Sequence, residues 1–184
     1  MISFAPLKEK DLEKLHQWLN NQHVKEWWDG PISTDAVKEK YLPRILGLVP
    51  VYCFVFSLGT QPIGFVQAYR LSDFPEYAEQ LGIEIKAGSA CMDIFVGEPA
   101  HLHKGLGATA LQLFLRDFVF SEMGACESYI APAISNSAAI RAYGKAGFKH
   151  ISNVYIQGEN EPEYLMRIAD EDMKEMKPCS GCAF

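Results

Sequence analysis

The amino-acid sequence predicts an α/β domain of the α+β type, in which helices cover both faces of a mixed sheet. One observation is the order of strand-like and helix-like spacings along the chain, which runs β-α-α-β-β-β-α-β-α-β-β. The other is that the 184 residues, 48% of them hydrophobic, show no internal repeat and no shift in composition. We therefore expect a single domain over residues 1–170 and a C-terminal tail over 171–184.

The first third of the chain predicts one strand followed by two helices. Residues 2–5 have strand composition, and Asp11 can cap the first helix. The apolar face of that helix consists of residues at helical spacing: Leu12, Leu15, Trp18 and Leu19. An Asp-Gly-Pro sequence over 29–31 predicts a turn, after which Ser33 or Thr34 begins the second helix.

The middle of the chain predicts a hairpin and a long connection. Pro43 disturbs the end of the second helix. Residues 51–58 and 63–69 are rich in β-branched and aromatic residues and form two strands joined over 59–62. Residues 72–89 are predicted to be a long irregular connection, of a length that is often functional. Four acidic residues mark this connection: Asp73, Glu76, Glu79 and Glu84.

Two glycines precede the longest predicted helix. A fourth strand is expected over 90–97, and the helix begins at Gly105 or Gly107. Its apolar residues recur at helical spacing: Leu106, Ala110, Leu113, Phe114 and Phe118. A short fifth strand follows over 128–131.

The C-terminal third predicts one helix and two closing strands. The helix spans 136–146, and Gly147 ends it. The strands over 148–156 and 163–168 flank a turn at Gly158.

The composition argues against several classes of protein. A formal net charge of -6 without clusters of Lys and Arg is unsuited to general nucleic-acid binding. The N-terminus lacks the basic-then-apolar pattern of a signal peptide. The most apolar window, 45–59, is too short for a bilayer and is broken by Pro50. We therefore expect a cytoplasmic protein that binds neither nucleic acid nor a membrane. We also expect a monomer or homodimer.

The cysteines and histidines predict no metal site. The five cysteines are scattered, as is usual for proteins of a reducing compartment. Cys179 and Cys182 form a single CxxC, which is half a zinc site at best, so we favour a tail with incidental thiols. His101 and His103 alternate in a polar loop, which is weak evidence for a metal.

The pair Gly105 and Gly107 predicts an anion site only in combination with other evidence. The first turn of a helix has unpaired N–H groups and a positive dipole end, and glycines let a backbone approach a phosphate. A GxG before a helix is nevertheless more often a plain turn. The spacing matches neither a P-loop nor a dinucleotide-binding fingerprint.

A second motif changes this interpretation. NSAAIRAYGKAGF, at 136–148, places Asn136, Ala139 and Tyr143 at fixed spacings one strand after the glycine helix. This combination resembles the GNAT superfamily of acetyl-CoA-dependent N-acetyltransferases, whose element order also matches. The chain is also similar to the bacterial aminoglycoside 6'-N-acetyltransferases in five short stretches that occur in the same order. These stretches are EWWDG, KYLP, PIGFVQAY, MDIFVGEP and KGLG. The resemblance covers nearly the whole chain and implies a GNAT fold with a mixed, mostly antiparallel central sheet.

The resemblance implies acetyl-CoA as the cosubstrate and no metal. Backbone amides of residues 103–108 would hold the pyrophosphate, and the strand over 94–96 would pair with the pantetheine arm. The implied cofactor-binding residues are Ile94, Phe95, Val96, His103, Lys104, Gly105, Leu106, Gly107, Ala108, Asn136 and Ala139. Leu102 stands where the superfamily usually has Arg or Gln, which removes a side-chain contact but leaves the backbone groups.

The chemistry of acetyl transfer points to a carboxylate in the fourth strand. An alkyl ammonium has a pKa of about 10.4, so it must lose a proton before attack. Asp93 can attract the cation and accept that proton directly or through water, although it could also be a hydrogen-bonded structural carboxylate. Backbone N–H groups near Phe95 or Val96 would stabilise the oxyanion. The resemblance makes Asp93 the acid/base group and Tyr143 the acid for the CoA thiolate, whereas an isolated Tyr143 could simply pack on its helix.

The resemblance also implies an acceptor pocket. It would be shaped by Trp27, Trp28, Tyr41, Gln67 and Tyr69, whose aromatic faces suit a cation or sugar ring. Ala131 stands where the aminoglycoside enzymes carry an acidic residue. We therefore expect direct transfer to an aminoglycoside 6'-amine in a ternary complex, with two alternatives. One is a GNAT enzyme for another small amine or a protein amine, and the other is a non-catalytic CoA-binding domain.

Overall fold

The computed structural model describes residues 1–28, 30 and 33–175. The strands of this part of the chain are β1 (Ile2–Pro6), β2 (Tyr52–Leu58), β3 (Gln61–Arg70), β4 (Ser89–Val96), β5 (Glu127–Ile130), β6 (Lys149–Val154) and β7 (Glu163–Ala169). The helices are α1 (Leu12–Leu19), α2 (Gln22–Lys25), α3 (Thr34–Ile45), α4 (Pro75–Gln80), α5 (Leu106–Phe114), α6 (Ser137–Lys145) and α7 (Asp170–Glu175). The strands form a sheet of order β1-β2-β3-β4-β5-β7-β6, which confirms the predicted mixed α/β class.

The described chain forms two compact units. The first consists of Met1–Ala68 and Asp93–Gly107, and the second begins with Tyr69–Met92 and continues from Ala108. Strands β3 and β4 each run from one unit into the other. The described helices include none long and apolar enough to cross a membrane.

In the first unit, β1, β2 and β3 pair antiparallel around a short hairpin turn. The turn is Gly59 and Thr60 alone, with Gly59 at φ 62°, whereas the sequence predicted a longer link over 59–62. Gln61 and Pro62 are instead the first residues of β3, because Pro is tolerated at the start of a strand. Phe56 faces Gly64 and Ser57 faces Pro62, so Ile63 forms a bulge.

In the first unit, helix α1 buries the apolar face that was predicted for it. The four predicted α1 residues are all buried. Asp11 occupies the N-cap position but accepts the Lys8 backbone N–H, so its side chain caps the preceding 3-10 turn rather than α1. Ser33 caps α3 by accepting from the Ala36 N–H at 3.2 Å, and Pro43 lies within the last turn without ending the helix. Helix α2 was not predicted. Two residues of the predicted Asp-Gly-Pro turn, Asp29 and Pro31, lie outside the described residues.

In the second unit, β4 pairs parallel with β5 over Ser89–Cys91 only, while β7 pairs antiparallel with both β5 and β6. The prediction of an irregular connection over 72–89 is wrong in part. Pro75 begins α4, at a position where a helix N–H has no partner within the helix, so its missing N–H costs nothing. Ala78 of α4 is buried in an apolar cluster that includes Cys91. A six-residue amphipathic turn is too short to be distinguished from a loop by its spacing.

The second unit contains the two predicted helices α5 and α6 and a helix, α7, that was not predicted. Helix α5 passes into a π-helical turn over Leu115–Phe120, in which Phe114 stacks on Phe118. Helix α6 ends as predicted before Gly147, which has φ 105°. Helix α7 occupies the start of the predicted tail, and the CxxC cysteines lie outside the described residues.

Candidate active site

A row of polar side chains crosses one face of the sheet in the first unit. Cys53 of β2 lies directly opposite Gln67 of β3, so both side chains are on the same face. Gln67 Nε2 donates to Asp93 Oδ2 at 2.8 Å, which extends the row to β4. The predicted acid/base residue and one predicted acceptor-pocket residue are therefore in direct contact.

Asp93 is held in an environment that opposes its ionisation. Removal from water raises its pKa above the ordinary aspartate value. The hydrogen bond from Gln67 and the positive charges of Arg44 and Lys40 lower it again. A carboxylate with a raised pKa is a stronger base than a solvated one and accepts a proton from an amine more readily.

Helix α3 covers this row with Tyr41 and Arg44. Tyr41 is fully buried, and burial raises its pKa to about 12 against the opposing charge of Arg44. Arg44 Nη1 donates to Gln67 Oε1 at 2.7 Å, and its guanidinium carbon lies 5.2 Å from the Tyr41 ring centroid. Arg44 was not among the predicted site residues. Its signal was the spacing of three from Tyr41, which places both residues on one helix face.

The two predicted tryptophans have different environments. Trp28 packs edge-on against Phe95 at 4.8 Å and Phe65 at 5.9 Å between ring centroids. Trp27 is 42% exposed, so it is the member of the pair available to a ligand. Tyr69 belongs to the second unit, where its ring contacts Phe74 at 5.0 Å.

The segment after β4 is fixed to the N-terminal helices. Asn21 Nδ2 donates to the Gly97 carbonyl at 2.9 Å, and the Gly97 N–H donates to the Ile63 carbonyl. Glu98 accepts from Trp18 Nε1 at 2.9 Å and pairs with Lys14, whose hydrogen bond lowers the pKa of Glu98. These contacts set the position from which the chain enters the glycine turn.

The glycine turn has a backbone suited to an anion. His103 and Gly105 have φ of 60° and 75°, and α5 begins at Leu106. The first N–H groups of a helix have no partner within it, so they are available to a phosphate. A Cβ at Gly107 would meet only Val96 Cγ2 at 3.6 Å, an ordinary contact, so packing does not require glycine there. A glycine there would let an anion approach the backbone closely.

The remaining predicted cofactor residues lie in the second unit. Asn136 caps α6, with Oδ1 accepting from the Ala139 N–H at 3.0 Å. Tyr143 is partly buried, and its ring centroid lies 6.4 Å from that of Phe148. Both residues thus have structural contacts of their own in addition to the roles that the resemblance implies.

The family is decided by comparison with known proteins. Residues 8–156 match the model of the acetyltransferase (GNAT) domain. The chain belongs to the GNAT acetyltransferase family. It is 35% identical over 158 residues to the aminoglycoside N(6')-acetyltransferase type 1 of Klebsiella pneumoniae, covering 83% of this chain and 76% of the relative. The corresponding enzyme of Serratia marcescens matches to the same extent.

The GNAT assignment extends to solved structures. The aminoglycoside acetyltransferase AAC(6')-Ib in complex with coenzyme A and kanamycin is 29% identical, with a TM-score of 0.78 over 95% of this chain and 98% of that one. The same enzyme with ribostamycin and coenzyme A has a TM-score of 0.79 at 28% identity, over 96% and 97% of the two chains. This GNAT protein is therefore an N-acetyltransferase that uses acetyl-CoA. Its described residues contain no cluster of three potential metal ligands.

Proposed function

We propose that this protein transfers the acetyl group of acetyl-CoA directly to the 6'-amino group of an aminoglycoside within a ternary complex. The observation that carries the proposal is the contact between Gln67 and Asp93, which presents a carboxylate of raised pKa on one face of the sheet. The identity to aminoglycoside N(6')-acetyltransferases supports the choice of acceptor.

Asp93 binds and deprotonates the acceptor amine. The ammonium form is attracted to the carboxylate, and Asp93 accepts a proton directly or through one water as the amine nitrogen attacks the thioester carbonyl. Burial of the carboxylate raises its pKa and so brings it closer to that of the amine. The hydrogen bond from Gln67 keeps one carboxylate oxygen oriented, leaving Oδ1 for the acceptor.

Acetyl-CoA supplies the activated acetyl thioester. The turn over residues 103–108 would hold its pyrophosphate through backbone N–H groups. The resemblance assigns further cofactor contacts to Asn136 and Ala139. The strand residues Ile94, Phe95 and Val96 would pair with the pantetheine arm. An N–H near Phe95 or Val96 would stabilise the oxyanion, and Tyr143 would donate a proton to the departing thiolate.

The acceptor would lie against Trp27 and Trp28. Tyr41 and Gln67 are buried, so they would shape the pocket from behind its surface. The resemblance also assigns Tyr69 to this pocket. Exposed Trp27 offers an aromatic face to a sugar or a cation. Ala131 has no carboxylate, so it cannot supply the acidic contact of the resembled enzymes. Its methyl group packs against the apolar cluster of the second unit, which consists of Leu71, Ala78, Leu81, Cys91, Tyr129 and Leu165.

A second candidate acceptor is a small primary amine with fewer positive charges than an aminoglycoside. Two observations favour it. Ala131 provides no carboxylate, and the positive charges of Arg44 and Lys40 act on Asp93 from α3. These charges would oppose a polycation more strongly than a monocation.

A thiol-release assay with acetyl-CoA distinguishes these acceptors. The full-length protein is supplied with aminoglycosides bearing a 6'-amine, with aminoglycosides bearing a 6'-hydroxyl, and with small monoamines, and the products are identified by mass. We expect CoA release and an added acetyl group with the 6'-amine compounds alone. Acetylation of monoamines only would favour the second candidate. Acetyl-CoA binding without release for any of these amines would contradict both candidates.

A further inference from the structure

The orientation of the Gln67 amide is determined by Arg44. A guanidinium has only donors, so the atom that receives the 2.7 Å hydrogen bond from Arg44 Nη1 must be the amide oxygen. The amide nitrogen then necessarily faces Asp93 Oδ2, at 2.8 Å. Gln67 is buried, at 9% exposure, so water cannot readily replace either partner.

This fixed orientation favours one protonation state of Asp93. An N–H donor aimed at the carboxyl stabilises the ionised form, which has only acceptors. Without Arg44, the Gln67 amide could turn over and present its oxygen to a protonated Asp93. The arrangement Arg44 to Gln67 to Asp93 thus connects a cation on α3 to the proposed base on β4.

We propose that Arg44 is a positioning residue that orients Gln67 and so keeps Asp93 ionised and ready to accept the proton of the acceptor amine. This role rests on the proposed function, because it concerns the same carboxylate. Arg44 does not itself touch the reacting atoms in this scheme. It acts through the Gln67 amide and through its charge.

The other titratable groups around Asp93 do not substitute for Arg44. Tyr41 on α3 and Cys53 on β2 have pKa values raised to about 12 and about 11 by burial, so both stay neutral at physiological pH. Lys40 on α3 is exposed, and its charge lowers the Asp93 pKa less than the contributions of Gln67 and Arg44. On α2, the His23 ring nitrogen bonds the Val96 carbonyl at 3.0 Å.

The test is the pH dependence of transfer by the full-length protein and its Arg44→Met variant, with saturating acetyl-CoA and one active acceptor. We expect the acidic limb of kcat/KM to move upward by about one pH unit in Arg44→Met, because the opposing charge and the oriented donor are both lost. Activity should then fall about tenfold on the acidic limb and much less on the plateau. The acceptor's own ionisation is common to all variants and cancels in the comparison.

Three variants control for other causes. Arg44→Lys keeps a charged donor and should leave the limb within a few tenths of a pH unit of the wild type. Lys40→Met removes a charge from the same helix and should shift it less than Arg44→Met. Arg116→Met removes an exposed arginine paired with Asp117 in the second unit and should not shift it. If Arg44→Met does not fold, Arg44→Gln removes the charge while retaining a polar side chain.

A direct titration separates this proposal from the proposed function. Carbon-13 NMR of carboxyl-labelled aspartate, with Asp93 assigned by loss of its signal in Asp93→Asn, reports its midpoint in the absence of any acceptor. We expect a higher midpoint in Arg44→Met than in the wild type. An unchanged midpoint, or an equal loss of activity at every pH, would overturn the role of Arg44. Failure of every amine to be acetylated would overturn the proposed function while leaving this titration informative.

Discussion

Replacing Asp93 by Asn removes the proposed base while keeping its place in the structure. The Asn side chain retains an oxygen that can accept the 2.8 Å hydrogen bond from Gln67 Nε2, and the two side chains have nearly the same shape. General base catalysis contributes about 10²- to 10⁴-fold, so we expect kcat to fall by at least about 100-fold. That loss corresponds to about 2.7 kcal/mol of transition-state stabilisation.

The same substitution should not destabilise the protein at neutral pH. Burial raises the Asp93 pKa in the folded state, so protonated Asp93 stabilises the fold. This stabilisation is present at pH values below the ordinary aspartate pKa. It is lost as the pH rises through the pKa that Asp93 has in the folded state. Asn resembles the protonated form at every pH. We therefore expect Asp93→Asn to have a Tm equal to or above that of the wild type at pH 7, and the difference to shrink in acid.

The assay measures thiol release under saturating acetyl-CoA with the preferred acceptor, alongside thermal unfolding at pH 7 and at pH 4. A matched control is Asp117→Asn, an exposed aspartate of the second unit, which should change neither rate nor Tm by much. Turnover of Asp93→Asn within tenfold of the wild type would refute the assignment of Asp93 as the base. A lower Tm at pH 7 would refute the assignment of burial as the cause of its raised pKa.

Four further substitutions test other parts of the protein. Tyr143→Phe should slow transfer at least about tenfold while retaining acetyl-CoA affinity in a calorimetric titration, and loss of affinity would instead indicate a structural role. Gly64→Ala places a Cβ 2.4 Å from the backbone oxygen of Phe95 and should lower the free energy of unfolding in urea by about 1–3 kcal/mol. Gly144→Ala in α6 meets nothing within 4 Å and should not destabilise the protein; similar losses for both glycines would contradict the packing explanation. Gly105→Ala, at φ 75°, should cost about 1–2 kcal/mol and raise the KM for acetyl-CoA, and an unchanged KM would contradict the pyrophosphate role.

The main strands and helices could be predicted because their apolar spacing is local information. The buried face of α1, the hairpin of β2 and β3, and the end of α6 at Gly147 follow from residues within one or two turns of each other. The short helices α2 and α4 could not be predicted, because four or six residues are too few to establish a helical period. The side chain of Asp11 is a related case, because it caps a 3-10 turn of only three residues that its spacing does not reveal.

Asp93 and the glycine turn could be proposed from sequence because each has a chemical or conformational signature. A carboxylate within an apolar strand is unusual, and positive φ at Gly105 requires a residue that adopts it without strain. The positions of Trp27 and Trp28 were only partly predictable. Which of the two stays exposed depends on Phe65 and Phe95, which come from two different strands and pack against Trp28.

Arg44 shows why the surroundings of a proposed catalytic residue are harder to predict than the residue itself. Its guanidinium reaches Gln67 only because α3 packs across the face of β3, 23 residues farther along the chain, and Gln67 reaches Asp93 across a further 26 residues. No motif marks that connection. Yet the Asp93 pKa depends on it, because desolvation alone would favour the protonated acid and only the oriented amide and the nearby cations oppose this. The base strength of Asp93 is therefore a property of how α3 packs on the sheet, and it could change among relatives that keep the aspartate itself.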